Sequence, residues 1–496
     1  MYGPLVSLSY AVDYGIAGLN PWMYHLTNLF LHLVNIVLVF FLIRSFTGRI
    51  EIAAITALLF AMHPLNVASV TPISVRNTLL YSVFYLSAYL CYLNYLKSGL
   101  RVRYLIAAFV LFALSLLSKS AAVVMPLLMV LTDWYFKRKY DWPTLREKVP
   151  FLLLSLIFGI VTIVSRTDAV HFGRHHYIFN TLERILLVSY SIGFYIFKLF
   201  LPVNLHAFYE YPNKNAGYFP EVFYLSPFFI LLILYALFIA KKYKRELLFC
   251  SLFFFIHIFL VVNIIPSGGT EMVCDRYAYI PGLGLFTMVG GAYALTTEGA
   301  YRLGGRIKMV STILLIICAG ALSVISYQRN GIWKDNLTLM SDIIRSDPNN
   351  IVAYTHPGIS KAKLKDYTEA IMEYNKAIEV DPNNAIAYSN RGIVKAKLKD
   401  YTGAILDYNK AIEVDPNNAI AYSNRGFVKA RLNNYTGAIV DYNKAIEVNP
   451  SYATAYFGRG IAREKSGNKY GACADMRKSF ELGNFQIEED MRRICR

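Results

Sequence analysis

Long apolar segments alternate with short polar ones along the first two thirds of the chain. Several of these runs reach the roughly 20 residues that span a bilayer, whereas the shorter ones are typical of half-helices, hairpins or tilted segments. They are rich in Phe and Tyr, as membrane helices with aromatic belts are. This pattern predicts an all-α, polytopic membrane domain over residues 1–328. The apolar runs are residues 25–43, 52–62, 79–96, 104–118, 121–136, 150–165, 185–201, 222–240, 247–265, 279–296 and 309–326.

The last third of the chain follows a different pattern, which repeats every 34 residues. It resembles the tetratricopeptide repeat (TPR) and predicts an α-solenoid over residues 348–496, after a connector at 329–347. Small residues let the two helices of a repeat approach closely, and each proline ends the second helix. We expect Pro357 to distort or shorten the first helix of the array. The repeated positions are Pro348, Pro382, Pro416 and Pro450, then Gly358, Gly392, Gly426 and Gly460, then Tyr374, Tyr408 and Tyr442.

Charge supports a membrane reading and gives an orientation. The chain has a net charge of +17, of which residues 341–496 carry +4, from 23 Lys and Arg against 19 Asp and Glu. The remaining +13 lies in the membrane half, where basic clusters indicate cytoplasmic loops rather than a nucleic-acid partner. The clusters are Arg44/Arg49, Lys97/Arg101/Arg103, Lys137/Arg138/Lys139, Lys241/Lys242/Lys244/Arg245 and Arg302/Arg306/Lys308.

With these clusters inside a cell (inner) membrane, the loops at 63–77, around Lys119 and at 266–276 fall on the outer side. The TPR array then follows on the same, extracytoplasmic side. If 150–165 and 185–201 both cross, however, the cluster at 241–245 lies outside, so either one of them does not cross or the number of crossings there differs. Residues 1–4 lack the basic and apolar regions of a secretory signal peptide.

Polar residues at membrane depth gather on the predicted outer side and are candidates for function. Fixed cations in an outward pocket suit a lipid-linked phosphate or diphosphate. The alternative is structural, with these groups pairing with each other or with lipid headgroups at the interface. The candidate substrate-binding residues are His63, Arg76, Lys119, Arg276, Tyr277 and Tyr279, and Asp275 is a weaker catalytic candidate.

The same residues carry a resemblance that covers nearly the whole chain. The motifs are Tyr2 to Leu5, Leu19 to His32, His63-Pro64, Ile73 to Arg76, Leu117 to Lys119, Asp275 to Pro281 and Trp333 to Asp335. In this order they resemble the TMTC-type family of transmembrane and tetratricopeptide-repeat proteins. The resemblance implies a GT-C-type membrane fold and transfer of a sugar from a polyprenyl- or dolichyl-phosphate donor. It also implies protein O-mannosylation on the outer or lumenal side of the membrane.

The chain departs from the family pattern where a carboxylate base is expected. The family carries an acidic motif in its first outer loop, whereas this chain begins at what looks like the end of that loop. Asn66 and Ala68 stand where the family usually has His and Glu, and Thr78 stands where it has Asp. An inverting transferase needs such a base, so we expect either an N-terminally truncated form or a chain that has lost activity. The alternative function is a non-catalytic, membrane-anchored TPR scaffold.

Three weaker signals concern partners and metals. Asn390 and Asn424 occupy the same position in successive repeats, where they either bind a polypeptide or hydrogen-bond within the array. Cys473 and Cys495 are either a disulfide or two free thiols. Asp168 with His171, His175 and His176 suggests a loose metal cluster, but an exposed polar loop explains it better and no metal is expected. The expected partners are membrane lipid and a polypeptide.

Overall fold

The computed structural model describes residues 3–170, 179–212, 218–240, 243–262, 271–297, 304–346 and 351–495. The chain divides into two compact units, Met1–Trp333 and Lys334–Arg496. The division falls slightly later than the predicted boundary at 328, because the last helix of the first unit continues to Gly331.

The first unit is helical apart from one short pair of strands. Strand β1 (Tyr209–Glu210) pairs with β2 (Glu271–Val273) in antiparallel orientation. The helices are α1 (Pro4–Ala17), α2 (Pro21–Thr47), α3 (Ile50–Met62), α4 (Pro64–Val70), α5 (Arg76–Lys97), α6 (Val102–Ser118), α7 (Met125–Tyr135), α8 (Trp142–Arg146), α9 (Val149–Val170), α10 (Thr181–Phe200), α11 (Glu221–Ile239), α12 (Lys244–Ile258), α13 (Gly282–Thr297) and α14 (Gly304–Gly331).

Five helical segments in the described ranges are long and apolar enough to cross a membrane. They are Pro21–Thr47, Ile73–Lys97, Trp142–Val164, Glu221–Ile239 and Gly305–Gly331. The pair α3 and α4 makes a sixth if it is one span, although it bends by 63°. Helix α10 is not among them, and it lies in the stretch where the charge pattern left the number of crossings open. These helices confirm the predicted all-α, multi-pass membrane domain.

Local sequence explains how these helices begin, end and pack. Asn20 caps α2 by accepting a hydrogen bond from the Trp22 N–H at 3.2 Å, and Pro21 suits the first helical position. Pro64 cannot continue the α3 ladder, so α3 and α4 meet at a sharp bend. Where α13 crosses α12, a Cβ on Gly284 would lie 2.4 Å from the Cys250 carbonyl oxygen, so only glycine permits this approach.

Basic residues meet at one end of the membrane unit. Lys97 donates a hydrogen bond to the Ser45 carbonyl, and Arg245 donates one to the Trp134 carbonyl at 2.7 Å. Arg138 pairs with Glu147 at 2.7 Å. Arg138 also lies over the ring of Tyr95, at 5.8 Å, close to Lys97 in sequence. Residues in or next to four predicted cytoplasmic clusters are therefore neighbours, as a common side of the membrane requires.

The second unit is a stack of helix pairs, which confirms the predicted TPR solenoid. Helix α15 (Asn336–Ser346) precedes the repeats and α24 (Glu488–Ile494) caps them. The four pairs, first helix then second, are α16 (Ile351–Lys363) and α17 (Tyr367–Val380), α18 (Ala385–Lys397) and α19 (Tyr401–Val414), α20 (Ala419–Arg431) and α21 (Tyr435–Val448), and α22 (Ala453–Lys465) and α23 (Lys469–Glu481).

Close packing within the first three pairs depends on the repeated glycine and tyrosine. A Cβ on Gly358 would lie 2.6 Å from Cε1 of Tyr374, and one on Gly392 would lie 2.8 Å from Cε1 of Tyr408. Both tyrosines are buried. The small residue therefore lets the two helices of a pair approach closely, as the sequence predicts.

Two details of the repeat unit go beyond the sequence prediction. The expected shortening of α16 at Pro357 was wrong, because α16 continues through this residue and is 13 residues long, as α18 is. The packing of Gly358 on Tyr374 holds the helix in place despite the missing N–H. Cys473 and Cys495 form a disulfide, with their Cα atoms 4.9 Å apart, which decides between the two alternatives for these cysteines.

Candidate lipid-phosphate site

Polar segments that are far apart in sequence meet at one end of the membrane unit. Helix α4 packs on the turn at 275–278. Ser326 of α14 donates a hydrogen bond to the Met62 carbonyl at 2.7 Å, and Thr71 donates one to Asn330 at 2.7 Å. The bend after α3 and the end of α14 thus surround the Asp275 to Ala278 turn.

Lys119 reaches this end from the break between α6 and the short 3₁₀ turn that follows it. Its Nζ donates a hydrogen bond to Thr78 Oγ1 at 2.9 Å and lies over the rings of Tyr81 and Tyr277, at 5.4 and 5.7 Å. No carboxylate pairs with it in the described part of the chain. Burial and the nearby Arg276 cation lower the pKa of Lys119 to about 8, so the group remains mostly charged at neutral pH.

Arg276 lies beside the same tyrosine. Its guanidinium is 5.3 Å from the ring centre of Tyr277, and its Nη2 is 3.0 Å from Glu271 Oε2. About a third of the side chain is exposed, 29%. Two cations therefore lie within 6 Å of the Tyr277 ring centre, and only Arg276 has a carboxylate partner, which leaves a net positive charge beside this tyrosine.

Arg76, in contrast, is fully buried among protein groups of α1 and α2. It pairs with Asp13 at 2.5 Å and donates hydrogen bonds to Asn28 Oδ1 at 2.8 Å, the Tyr24 carbonyl at 3.0 Å and Ser9 Oγ at 3.3 Å. These contacts occupy the guanidinium, so the structure favours the structural alternative for Arg76. It does not place Arg76 on Tyr277 with Lys119 and Arg276.

His63 and Tyr279 are buried too, and both bind other parts of the membrane unit. His63 Nδ1 accepts a hydrogen bond from the Leu65 N–H at 3.3 Å and so caps α4, while Nε2 lies 3.2 Å from the Leu199 carbonyl oxygen. The hydroxyl of Tyr279 lies 2.7 Å from His32 Nδ1 and fixes α2 against the start of α13. Ligand binding by either residue stays a prediction.

Asp275 is held by an arginine that the sequence pattern did not single out. Its Oδ2 accepts a hydrogen bond from Arg329 Nη2 at 2.6 Å, and the same guanidinium donates to the carbonyls of Leu205 and His206. Burial raises the pKa of Asp275, although the Arg329 cation opposes that shift. Arg329 lies in the last turns of the apolar helix α14, in what the sequence assigned to a connector, so only its charge hinted at a role.

In the repeat unit, adjacent residues of the same helix have different environments. Arg425 donates two hydrogen bonds to Asp441, at 2.6 and 3.0 Å, and one to Asn409 of the preceding repeat at 2.7 Å. Arg391 and Arg459 make the equivalent contacts. The half-buried amides of Asn390 and Asn424 make no hydrogen bond to the residues that the structure describes. The intra-array alternative therefore lacks support, and both amides remain available to a peptide.

No group of metal-binding side chains occurs in the described ranges. The three histidines at 171, 175 and 176 lie outside those ranges, and the side chain of Asp168 is not described.

Comparison with known proteins separates the two units in the same way. The family described as dolichyl-phosphate-mannose-protein mannosyltransferase matches residues 3–165, and TPR repeats match 360–399, 394–433 and 430–467. The human protein O-mannosyl-transferase TMTC3 is 22% identical over 420 residues, covering 76% of this chain and 44% of that protein. Human TMTC1 is also 22% identical, over 76% of this chain and 48% of its own length.

The chain spans about half the length of these two relatives. Mouse TMTC2 is 35% identical over 94 residues, which is 19% of this chain and 11% of that protein. Among solved structures, the crystal structure of MamA is 24% identical, covers 31% of this chain and 89% of its own, and has a TM-score of 0.28.

Proposed function

We propose that this chain, which is similar to TMTC-type transmembrane and tetratricopeptide-repeat proteins in both of its units, acts in protein O-glycosylation from a lipid-phosphate sugar. The membrane unit binds the polyprenyl- or dolichyl-phosphate carrier, and the TPR array binds a polypeptide acceptor. The relatives named above are described as protein O-mannosyl-transferases.

The observation that carries this proposal is the arrangement of Lys119 and Arg276 around Tyr277. A phosphate diester bears a negative charge and acceptor oxygens, and ammonium and guanidinium groups bind such oxygens with charge-assisted hydrogen bonds. Arg276 is partly exposed and Lys119 lacks a carboxylate partner within the described residues. An anionic headgroup at this place would balance the net positive charge.

The same geometry assigns a secondary role to Asp275. A carboxyl whose pKa is raised by burial can accept a proton near neutral pH. Its bond to Arg329 leaves the group poorly placed to reach an acceptor hydroxyl. We therefore expect carrier binding to be stronger evidence of function than sugar transfer by residues 1–496.

The experiment is a binding measurement on the full chain in nanodiscs. A short-chain polyprenyl phosphate should bind, and the uncharged polyprenol should not. Lys119→Met and Arg276→Met should each weaken phosphate binding by about tenfold, the factor for one lost charge-assisted hydrogen bond. Arg306→Met, in a cluster assigned to the other side of the membrane, is the matched control and should have no effect.

Equal binding of phosphate and alcohol, or unchanged binding by both variants, would refute the site. Absence of carrier binding in a folded protein whose TPR array still binds polypeptide would favour the scaffold function instead.

The proposed orientation has a separate test. The basic end of the membrane unit supports a cytoplasmic assignment for that end, and the Cys473–Cys495 disulfide suits an oxidising compartment. An alkaline phosphatase fusion at the C-terminus should be active, while the same fusion after Lys139 should be inactive. The opposite pattern would overturn the orientation and acceptor presentation with it.

A further inference from the structure

The turns that join the first and second helices of successive repeats share an unusual composition. The turns of the first three repeats have an exposed leucine next to a basic residue, and the leucines at 364, 398 and 432 are 76%, 50% and 49% exposed. Because the first helices stack side by side, these turns form one edge of the array. We call it the turn edge, and its residues are Lys363-Leu364-Lys365, Lys397-Leu398-Lys399 and Arg431-Leu432-Asn433.

Two lysines of the turn edge keep a backbone conformation that disfavours them. Lys365 has φ 64° and Lys399 has φ 67°, in the left-handed region where glycine is unstrained. The last repeat has Gly467 at the equivalent position, with φ 90°. Glycine at these two positions would fold with less backbone strain. Because the protein keeps lysine there despite the strain, the side chains are candidates for a function.

Helix capping does not explain these cations. A cation in the last turn of a helix interacts favourably with the helix dipole, which accounts for Lys363 and Lys397. Lys365 and Lys399 lie beyond the helix ends and have no ion pair in the described part of the chain. On the second helices, by contrast, Lys410 and Lys444 pair with Glu413 and Glu447, both at 2.7 Å.

We propose that the turn edge binds the anionic surface of the lipid bilayer. Exposed leucines flanked by lysines are the combination that inserts into the headgroup boundary while pairing with anionic lipid. Only residues 332–335 separate the candidate span α14 from α15, so the array is tethered by a short connection to a helix that can cross the bilayer. Lipid contact at this edge leaves Asn390 and Asn424, near the middle of their helices, for a polypeptide.

The test uses the full chain in nanodiscs and measures how fast single lysines are acetylated by a limiting amine reagent. Lys365 and Lys399 should react about fivefold more slowly in phosphatidylcholine mixed with phosphatidylglycerol than in phosphatidylcholine alone, the factor for one basic residue at an anionic surface. High salt should abolish the difference. Lys410 and Lys444 should react equally in both lipids.

Variants of the turn edge distinguish lipid binding from a purely structural role of its leucines and lysines. In Leu364→Asn with Leu398→Asn, the protection of Lys365 and Lys399 should fall, whereas Leu406→Asn on a second helix is the matched control. In Lys365→Gly with Lys399→Gly, the Tm should rise because the strain is removed, while the lipid-dependent protection of Lys363 and Lys397 should fall. A structural role predicts a lower Tm.

Equal acetylation in both lipids would overturn the proposal, as would protection of Lys410 and Lys444 to the same degree. If Lys365 and Lys399 are protected only when an acidic protein is added, whatever the lipid charge, the turn edge binds a protein partner and not the bilayer.

Discussion

Arg329 and Lys119 belong to the same end of the membrane unit, yet their charges are used in opposite ways. Arg329 is buried, pairs with Asp275 at 2.6 Å and donates to two backbone carbonyls. Lys119 has one hydroxyl partner and two aromatic rings. The first arrangement fastens α14 to the loop before β1, and the second leaves charge to be compensated by something else.

Asp275 and Arg276 are adjacent in sequence, yet they differ in the same way in how their charges are used. The carboxylate of Asp275 is 2% exposed and paired, whereas the guanidinium of Arg276 is partly exposed and stacks on Tyr277. A charged residue at membrane depth therefore does not by itself indicate a ligand site. What indicates a ligand site is a charged group that still has hydrogen-bond donors or acceptors without a protein partner.

The largest expected effect is the loss of Arg329. Arg329→Met leaves Asp275 buried without its cation, which should lower the free energy of unfolding by ~3–5 kcal/mol. Thermal unfolding in detergent measures this. The double variant with Asp275→Asn should recover much of the loss because no buried charge remains unpaired. A single variant as stable as the wild type would contradict the assignment of Arg329 as a structural cation.

Arg76 and Lys119 give a direct comparison of a paired and an open cation. Arg76→Met should cost about 3 kcal/mol of stability, since Asp13 loses its ion pair but keeps the hydrogen bond from Thr27. Lys119→Met should not lower stability at neutral pH, because it removes a buried charge that opposes folding, and it should instead reduce phosphate binding. The comparison fails if the two variants lose stability equally.

The repeat unit contains the same contrast at adjacent positions. Arg425→Met should lower stability by about 2 kcal/mol, because it removes three hydrogen bonds and leaves Asp441 with Lys429 alone. Asn424→Ala should leave the Tm nearly unchanged. If the Asn424 variant also unfolds earlier, its amide supports the array and is not available to a peptide.

The smallest expected effect is a pH dependence of opposite sign for stability and binding. The pKa of Lys119 is about 8 in the folded protein, below its ordinary value of 10.5. Its charge therefore opposes folding below pH 8, and this cost is relieved as the pH rises toward 10.5. As the pH rises from 8 toward 10.5, the wild type should gain stability relative to Lys119→Met. Over the same range, phosphate binding by the wild type should weaken. Parallel pH profiles of wild type and variant would exclude this titration.

The repeat array was largely predictable from sequence, since its contacts are local. The 34-residue period predicted close approach of the two helices at the repeated glycines, and the glycines at 358, 392 and 426 do pack on a tyrosine of the same repeat. The sequence did not show which polar residues of the array are paired, because Arg425 finds Asn409 in one repeat and Asp441 in another helix. Pro357 was misjudged because packing on the neighbouring helix outweighs one missing hydrogen bond.

The sequence by itself determined the all-α class, the membrane and repeat units and the grouping of basic residues at one end, because apolar periodicity and charge are properties of short segments. Tertiary structure decided which side chains of the predicted site residues lie close to one another. It brought Lys119 and Arg276 to one tyrosine, surrounded Arg76 with Asp13 and Asn28, and paired Asp275 with Arg329. Such pairings join residues tens to hundreds of positions apart, and only the packing of the helices brings their side chains within hydrogen-bonding distance.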